Sequence, residues 1–408
     1  MGDLSVKSKR IWDNIYLIIF GLYLTIDVLN TTMFDIKWPD KIGYLQYAMV
    51  AGYAIARGIV YLKCRCYRMS EVILSVCIAV TFSIPAVFTT SYSYLFGIAF
   101  LIIGAKDVDF DEILRVYICI TAIIVLAALV SSQIGLIENL QFVDENRGVR
   151  NSLGAIYPTD FGAHIFYLCV AWICYRRRKI KLIELIIMLV MTAVTYHFCA
   201  TKTSTLCTIL IVLIYIANRI ITKLNSRFLL SLDRIVCMTA QLAAPISAAV
   251  YMAMQWLYDP LNKYWSLLDM NVMSLRFYYT YHVQEQYKMT LFGQNIAENG
   301  FGGGTDTSNG YIFLDDSYMA IAMKYGLLVF IVVLILLVIG QHKAMKNNMT
   351  IIVLMGGVIA IHSIMEHHLL EIAYNPLLML AFAGLNNKGE IGKGKDEDRD
   401  IHKCKRFN

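Results

Sequence analysis

Long apolar runs separated by short polar turns make up most of this chain. They lie near 12–33, 42–62, 70–89, 91–105, 113–136, 159–175, 180–199, 204–222, 234–257, 318–340, 349–365 and 369–386. A helix needs about 17–25 residues to cross a bilayer, and in lipid each crossing segment must satisfy its own backbone, which leaves the α-helix. The pattern therefore predicts an all-α, polytopic integral membrane protein with twelve transmembrane helices. One interval breaks the rhythm: from Tyr258 to Asp316 the chain turns polar, far longer than the roughly 2–8 residues that join packed helices. This stretch is expected to form a cap over a site.

Composition agrees. Of 408 residues, 58% are hydrophobic and 16% charged, against about 45–50% and about 25% in soluble domains. The net charge of +6 is a topological signal rather than a nucleic-acid footprint, because the basic residues stand in the turns. Lys7, Lys9 and Arg10, then Lys63, Arg65 and Arg68, then Arg176 to Lys179, then Lys223, Arg227 and Arg234, then Lys343 and Lys346, and the basic tail share one side only if there are twelve spans. Eleven would invert the second half. Positive residues favour the cytoplasmic side, so both termini are expected there, with 137–158 and the large loop facing outward. The chain then divides into spans one to nine (1–257), the large loop (258–317), spans ten to twelve (318–386) and a mixed-charge tail (387–408) expected to be disordered. The first span, from Trp12 to Phe34, lacks a small-residue cleavage site after it and reads as uncleaved. The ten cysteines follow neither a disulfide framework nor a zinc pattern and read as free thiols.

Charges in or beside spans cost a few kcal/mol unless they face a partner or a wet cavity. They are Asp27, Arg57, Lys202, Lys324 and Glu366; Lys202 stands at the outer face among Thr201, Thr203 and Ser204. The outward interval 137–158 carries Arg147 and Arg150 against the positive-inside tendency. A guanidinium matches phosphate oxygens with a rigid donor fork; the alternative is a solvated pairing with Asp144 and Glu145. The large loop carries Arg276, a set of aromatics that fits either an interface belt or sugar stacking, and Gly302 to Gly304, read as a turn. Asp315 and Asp316 precede the tenth span, either favouring its dipole or, for Asp315, serving as a base. Asp107 and Asp109 lack a nucleotide-sugar transferase domain around them. His362, Glu366, His367 and His368 fit neither zinc-protease spacing, and no metal is expected. His164 and His282 read as packing residues.

Arg150-Asn151-Ser152-Leu153-Gly154, followed by Pro158 and Gly162, resembles the R-x-S-x-G stretch of Wzy-type polysaccharide repeat-unit polymerases, relatives of the WaaL O-antigen ligases. Leu275-Arg276, Phe292-Gly293, Asp315-Asp316-Ser317-Tyr318 ahead of Gly326, and Glu366 with Asn375-Pro376 extend the likeness over most of the chain. The resemblance implies a cofactor-free, metal-independent glycosyltransferase of the GT-C kind in the bacterial cytoplasmic membrane, building O-antigen or capsule. Its donor and acceptor would be oligosaccharides on undecaprenyl diphosphate, and a chain-length regulator protein would be a partner. Arg150, Arg276 and Asp315 would be catalytic; Arg147, Lys202, Glu366, Tyr318, Asp316 and Gly293 would bind substrate. The chain departs from the ligase branch, where a histidine commonly stands near the Asp315-Asp316 position, and it has Lys202 where arginine is frequent. A lipid-linked oligosaccharide flippase is the competing reading. Flippases and other transporters place charges near the midplane on repeated halves, whereas here the unusual charges lie at the outer face.

Overall fold

The computed structural model describes residues 6–34, 40–64, 67–89, 92–144, 148–224, 226–304 and 311–385. Arg147 and the tail from 386 lie outside them. The first helices are α1 (Val6–Leu29), α2 (Asp40–Lys63), α3 (Met69–Phe88), α4 (Tyr94–Gly104) and α5 (Phe110–Gln133). A hairpin of β1 (Gln141–Asp144) and β2 (Gly148–Asn151) follows, then α6 (Pro158–Arg176), α7 (Leu182–Cys199), α8 (Lys202–Leu224), α9 (Arg227–Gln241) and α10 (Ala243–Leu257). The large loop contains α11 (Lys263–Leu268) and α12 (Arg276–Gln286), and the chain ends with α13 (Ser317–Ala320), α14 (Leu327–Lys346) and α15 (Thr350–His362).

Six helices among the described residues are long and apolar enough to cross a membrane: α1, α3, α5, α7, α8 and α14. The pair α9 and α10 qualifies jointly but is bent by 59°. Only 17% of the apolar window of α3 is buried, and Ile183, Ile186, Val190 and Val194 of α7 are exposed. Apolar faces of this extent require an apolar surrounding, so the fold is that of an all-α membrane protein. At the centre is α6, apolar nearly all round and buried along most of its length, as a helix with no polar face must be.

Three features depart from the sequence expectation. The predicted ninth span is broken, because Pro245 has no amide to offer the Gln241 carbonyl and its ring would collide with it; α9 ends there and α10 starts afresh. The predicted twelfth span is no α-helix in 369–385. Asn375, ahead of Pro376, is driven to φ −105°, ψ 90°, and the segment makes only short tight turns at His368–Leu370 and Pro376–Ala381. Its freed carbonyls are met by side chains: the Tyr117 hydroxyl donates to Ala373 O (3.2 Å) and Tyr374 O (2.5 Å), and Lys343 Nζ to Ala381 O (3.4 Å). Non-helical backbone inside a membrane protein persists only with such partners. Finally, the interval 137–158 contains an antiparallel hairpin that pairs Phe142 with Arg150.

Candidate functional site

Arg276 is aimed by its backbone. After a π-turn at Asp269–Met273, Ser274 and Leu275 both take positive φ, 54° and 64°, a conformation that costs a non-glycine residue about 1–2 kcal/mol. The Asp269 carboxylate holds the turn by accepting from the amides of Phe277 (3.1 Å) and Tyr278 (2.9 Å) and from the Tyr258 hydroxyl (3.1 Å). Arg276, first residue of α12, is thereby buried. It donates to the carbonyls of Met365 and Met273 (3.2 Å to the latter) and lies 3.5 Å from Glu366 Oε1. A cation at a helix N-terminus opposes the dipole, and Glu366 offsets this. Ser317 pins that acid, its hydroxyl donating to Glu366 O at 2.6 Å and its amide to Ser363 O at 3.0 Å.

The two predicted acids differ. Asp316 caps α13 by accepting from the Met319 amide at 2.7 Å, and burial lifts its carboxyl to about 7 despite that bond. Asp315 accepts from the Tyr311 hydroxyl at 2.8 Å. Burial raises the Asp315 carboxyl above the ordinary carboxylate range, while Arg276 and the Tyr311 bond pull it back.

Arg150 reaches the same region from the hairpin. Its strand position turns it inward, where Nε donates to Cys199 O (3.1 Å), Nη1 to the Tyr157 hydroxyl (3.4 Å), and the guanidinium lies 5.4 Å from the Tyr157 ring centre. Nη2 is buried with no hydrogen-bond partner among the described residues, a costly state for a charged donor. Gly154 sets the approach: at φ +86° its backbone passes so close to α5 that a Cβ would lie 2.4 Å from Ala128 O.

Aromatic rings join the two arms. Tyr157 stacks on Phe301 (6.0 Å, 8°), Phe301 meets Tyr311 (5.3 Å), and Tyr311 meets Tyr279 (4.6 Å). The Gly303 amide donates to Ile156 O at 3.1 Å, tying the large loop to the hairpin segment. Arg150, Arg276, Asp315, Asp316 and Glu366 thus gather at one end of the bundle. Other predicted residues take different places. Lys202 is exposed at the start of α8, while its neighbours turn inward, Ser204 to His362 (3.2 Å) and Thr201 against Gly162. The Tyr318 hydroxyl is used by Ala360 O at 2.7 Å in the core. Gly293 packs backbone on backbone, where a Cβ would lie 2.7 Å from Lys324 O. Arg57 is paired with Asp13 at 2.6 Å and Lys324 with Glu298 at 2.7 Å.

Sequence reasoning passed over the wall residues Tyr157, Phe301 and Tyr311, and Asp269. Asp269 had a legible signal as an acid seven residues ahead of Arg276, whereas the ring series exists only once two distant intervals meet. A cavity of about 420 Å³ lies at the other end of the bundle, lined by Arg176 to Lys179, Arg219 and Lys223, among the basic turns. No protein-family model, curated protein or solved structure matches the chain.

Proposed function

We propose that this chain is a polysaccharide polymerase of the Wzy type, joining polyprenyl-diphosphate-linked oligosaccharides on the outer face of a bacterial cytoplasmic membrane. One observation carries the reading: two buried arginines from distant segments are brought to one end of the bundle and linked by a run of aromatic rings, Arg276 beside Glu366 and Asp315, and Arg150 with a buried donor that has no partner among the described residues. The acceptor hydroxyl oxygen bonds to the anomeric carbon of the donor glycan as the bond from that carbon to the diphosphate breaks. The hydroxyl proton passes to Asp315, and the diphosphate leaves with the bonding pair. Negative charge grows on the leaving group, and guanidiniums already fixed in place stabilise it without reorganising. A carboxylate with a raised pKa is the stronger base, and the ring series from Tyr157 to Tyr279 offers faces for sugars. The twelve-span topology and the GT-C relationship belong to this proposal, with α2, α4, α6, the bent pair α9 and α10, α15 and the strap 363–385 supplying the crossings beyond the six long apolar helices. No cofactor is required, and a chain-length regulator is the expected protein partner.

The test is the lipid-linked glycan ladder of a deletion strain complemented with wild type, Arg150→Ala or Arg276→Ala. Wild type restores the ladder, while either variant stalls at single repeat units on the outer face at unchanged protein abundance. Wild-type-like polymer from Arg276→Ala would remove the diphosphate-binding role. Repeat units trapped inside would establish the flippase instead, and unpolymerised units left in place while transfer of glycan to a lipid core is lost would establish the ligase.

A further inference from the structure

Beside the arginine site lies a group of side chains that the transfer chemistry leaves unused. Asp160, in the first turn of α6, meets His367 and His368 from the strap, with one potential ligand atom of each within 4.8 Å of the others. His368 Nδ1 lies 2.9 Å from Glu371 Oε2, and His367 Nε2 lies 3.6 Å from Glu371 Oε1. An ionised Glu371 accepts only, so His368 turns its Nδ1–H to it and His367 presents Nε2 to the same carboxylate, which leaves the lone pair of each ring on the opposite nitrogen. Those opposite nitrogens, His368 Nε2 and His367 Nδ1, are buried and have no hydrogen-bond partner among the described residues. His368 Nε2 faces Asp160 Oδ1 at 3.5 Å, a lone pair against a carboxylate, two acceptors with no donor between them.

A proton could relieve the His368–Asp160 opposition but would leave His367 Nδ1 bare. A divalent cation satisfies all three at once. We propose that Asp160, His367 and His368 bind one divalent transition-metal ion, with Glu371 as the outer carboxylate that fixes both imidazole tautomers. Two imidazoles and a carboxylate form a borderline donor set suited to zinc and its neighbours. Ligand bonds of about 2.0–2.2 Å place tetrahedral donors roughly 3.3–3.6 Å apart, close to the His368–Asp160 separation. Imidazole ligands commonly lean their second nitrogen on a carboxylate, as His368 does on Glu371 here, with His367 Nε2 3.6 Å from the same carboxylate.

Bound there, the ion would tie the start of α6 to the strap. Tyr157, which holds Arg150, precedes Asp160 by one helical turn, and Glu366, which holds Arg276, adjoins His367. The ion would therefore fix the spacing of the two arginines without touching the reacting atoms. The binding site itself does not depend on the glycosyl-transfer reading.

The full chain, purified without a polyhistidine tag and stripped with a chelator, is titrated with Zn²⁺ and with Co²⁺. One equivalent of Zn²⁺ is expected to bind, and Co²⁺ should give the visible bands of a four-coordinate nitrogen and oxygen site. His368→Ala should lower Zn²⁺ affinity at least about 100-fold and Glu371→Gln about 10- to 100-fold. His282→Ala, at an exposed histidine paired with Glu285, should change neither. If His368→Ala does not fold, Glu371→Gln and the wild-type Co²⁺ spectrum decide. Absence of stoichiometric uptake by monodisperse wild type, or uptake undiminished in the folded His368 or Glu371 variant, overturns the site.

Discussion

Asp316 spends one carboxylate oxygen on the Met319 amide; the other is buried beside the Tyr251 hydroxyl, outside hydrogen-bond geometry. Burial raises its carboxyl to about 7, against about 3.9 in the unfolded chain. Between these values the folded protein retains a proton that the unfolded chain has released, so raising the pH through this window removes stability. Below about pH 4 both states are protonated and that contribution is fully present. Asparagine caps helices as well as aspartate and carries no charge. Asp316→Asn should therefore keep the cap and flatten the fall in thermal stability from pH 4 to pH 7, measured in detergent. Identical slopes for variant and wild type would contradict the burial of this carboxyl. At this scale the sequence was most readable where a charge stood out against its surroundings: Arg150 and Arg276 are cations in the two intervals expected to face outward, and both proved buried, Arg276 against Glu366 and Arg150 against Tyr157. Lys202 stood out equally but remains exposed, because a long side chain on the first turn of a helix can reach solvent.

Elements were legible where periodicity ran uninterrupted, as in α1, α3, α5, α7, α8 and α14. The strap 363–385 is also rich in apolar residues, yet Pro376 bars the helix from running through Asn375, and hydropathy counts cannot weigh one imino acid. Glycines made a comparable difference. Gly326, at φ +92°, follows the π-turn Ile321–Tyr325, and a Cβ there would lie 2.4 Å from the Gly293 amide nitrogen. This seam joins the large loop to the start of α14, with the Leu327 amide donating to Thr290 O at 3.0 Å and the Leu328 amide to Leu291 O at 3.2 Å. The backbone conformation alone would cost alanine about 1–3 kcal/mol, and the close contact adds to it. Gly326→Ala should lower unfolding free energy by at least that amount in a denaturant titration. A variant as stable as wild type would show that the seam can open freely.

For the molecule as a whole, sidedness follows from charge. The acids and arginines of the candidate site share one end of the bundle, while Arg176 to Lys179, Arg219 and Lys223 line the cavity at the other. Reporters fused after Tyr175 and after Lys346 should score as cytoplasmic, and one placed in the loop near Leu261, 93% exposed, as external. The reverse result would put the arginines on the side where lipid-linked sugars are assembled rather than polymerised. Hydropathy exposed this polarity but not the meeting of hairpin, large loop and strap, since those contacts join residues from separate parts of the chain. The way the arginines are held bears on how such a protein can change over time. Arg150 rests on the carbonyl of Cys199, and Arg276 on those of Met273 and Met365. A carbonyl is supplied by whatever amino acid occupies the position, so mutation can rewrite these neighbours while the charges stay in place. Lineages built this way can drift apart in spelling and keep the same arrangement of cations, leaving only a few scattered letters as witnesses of descent.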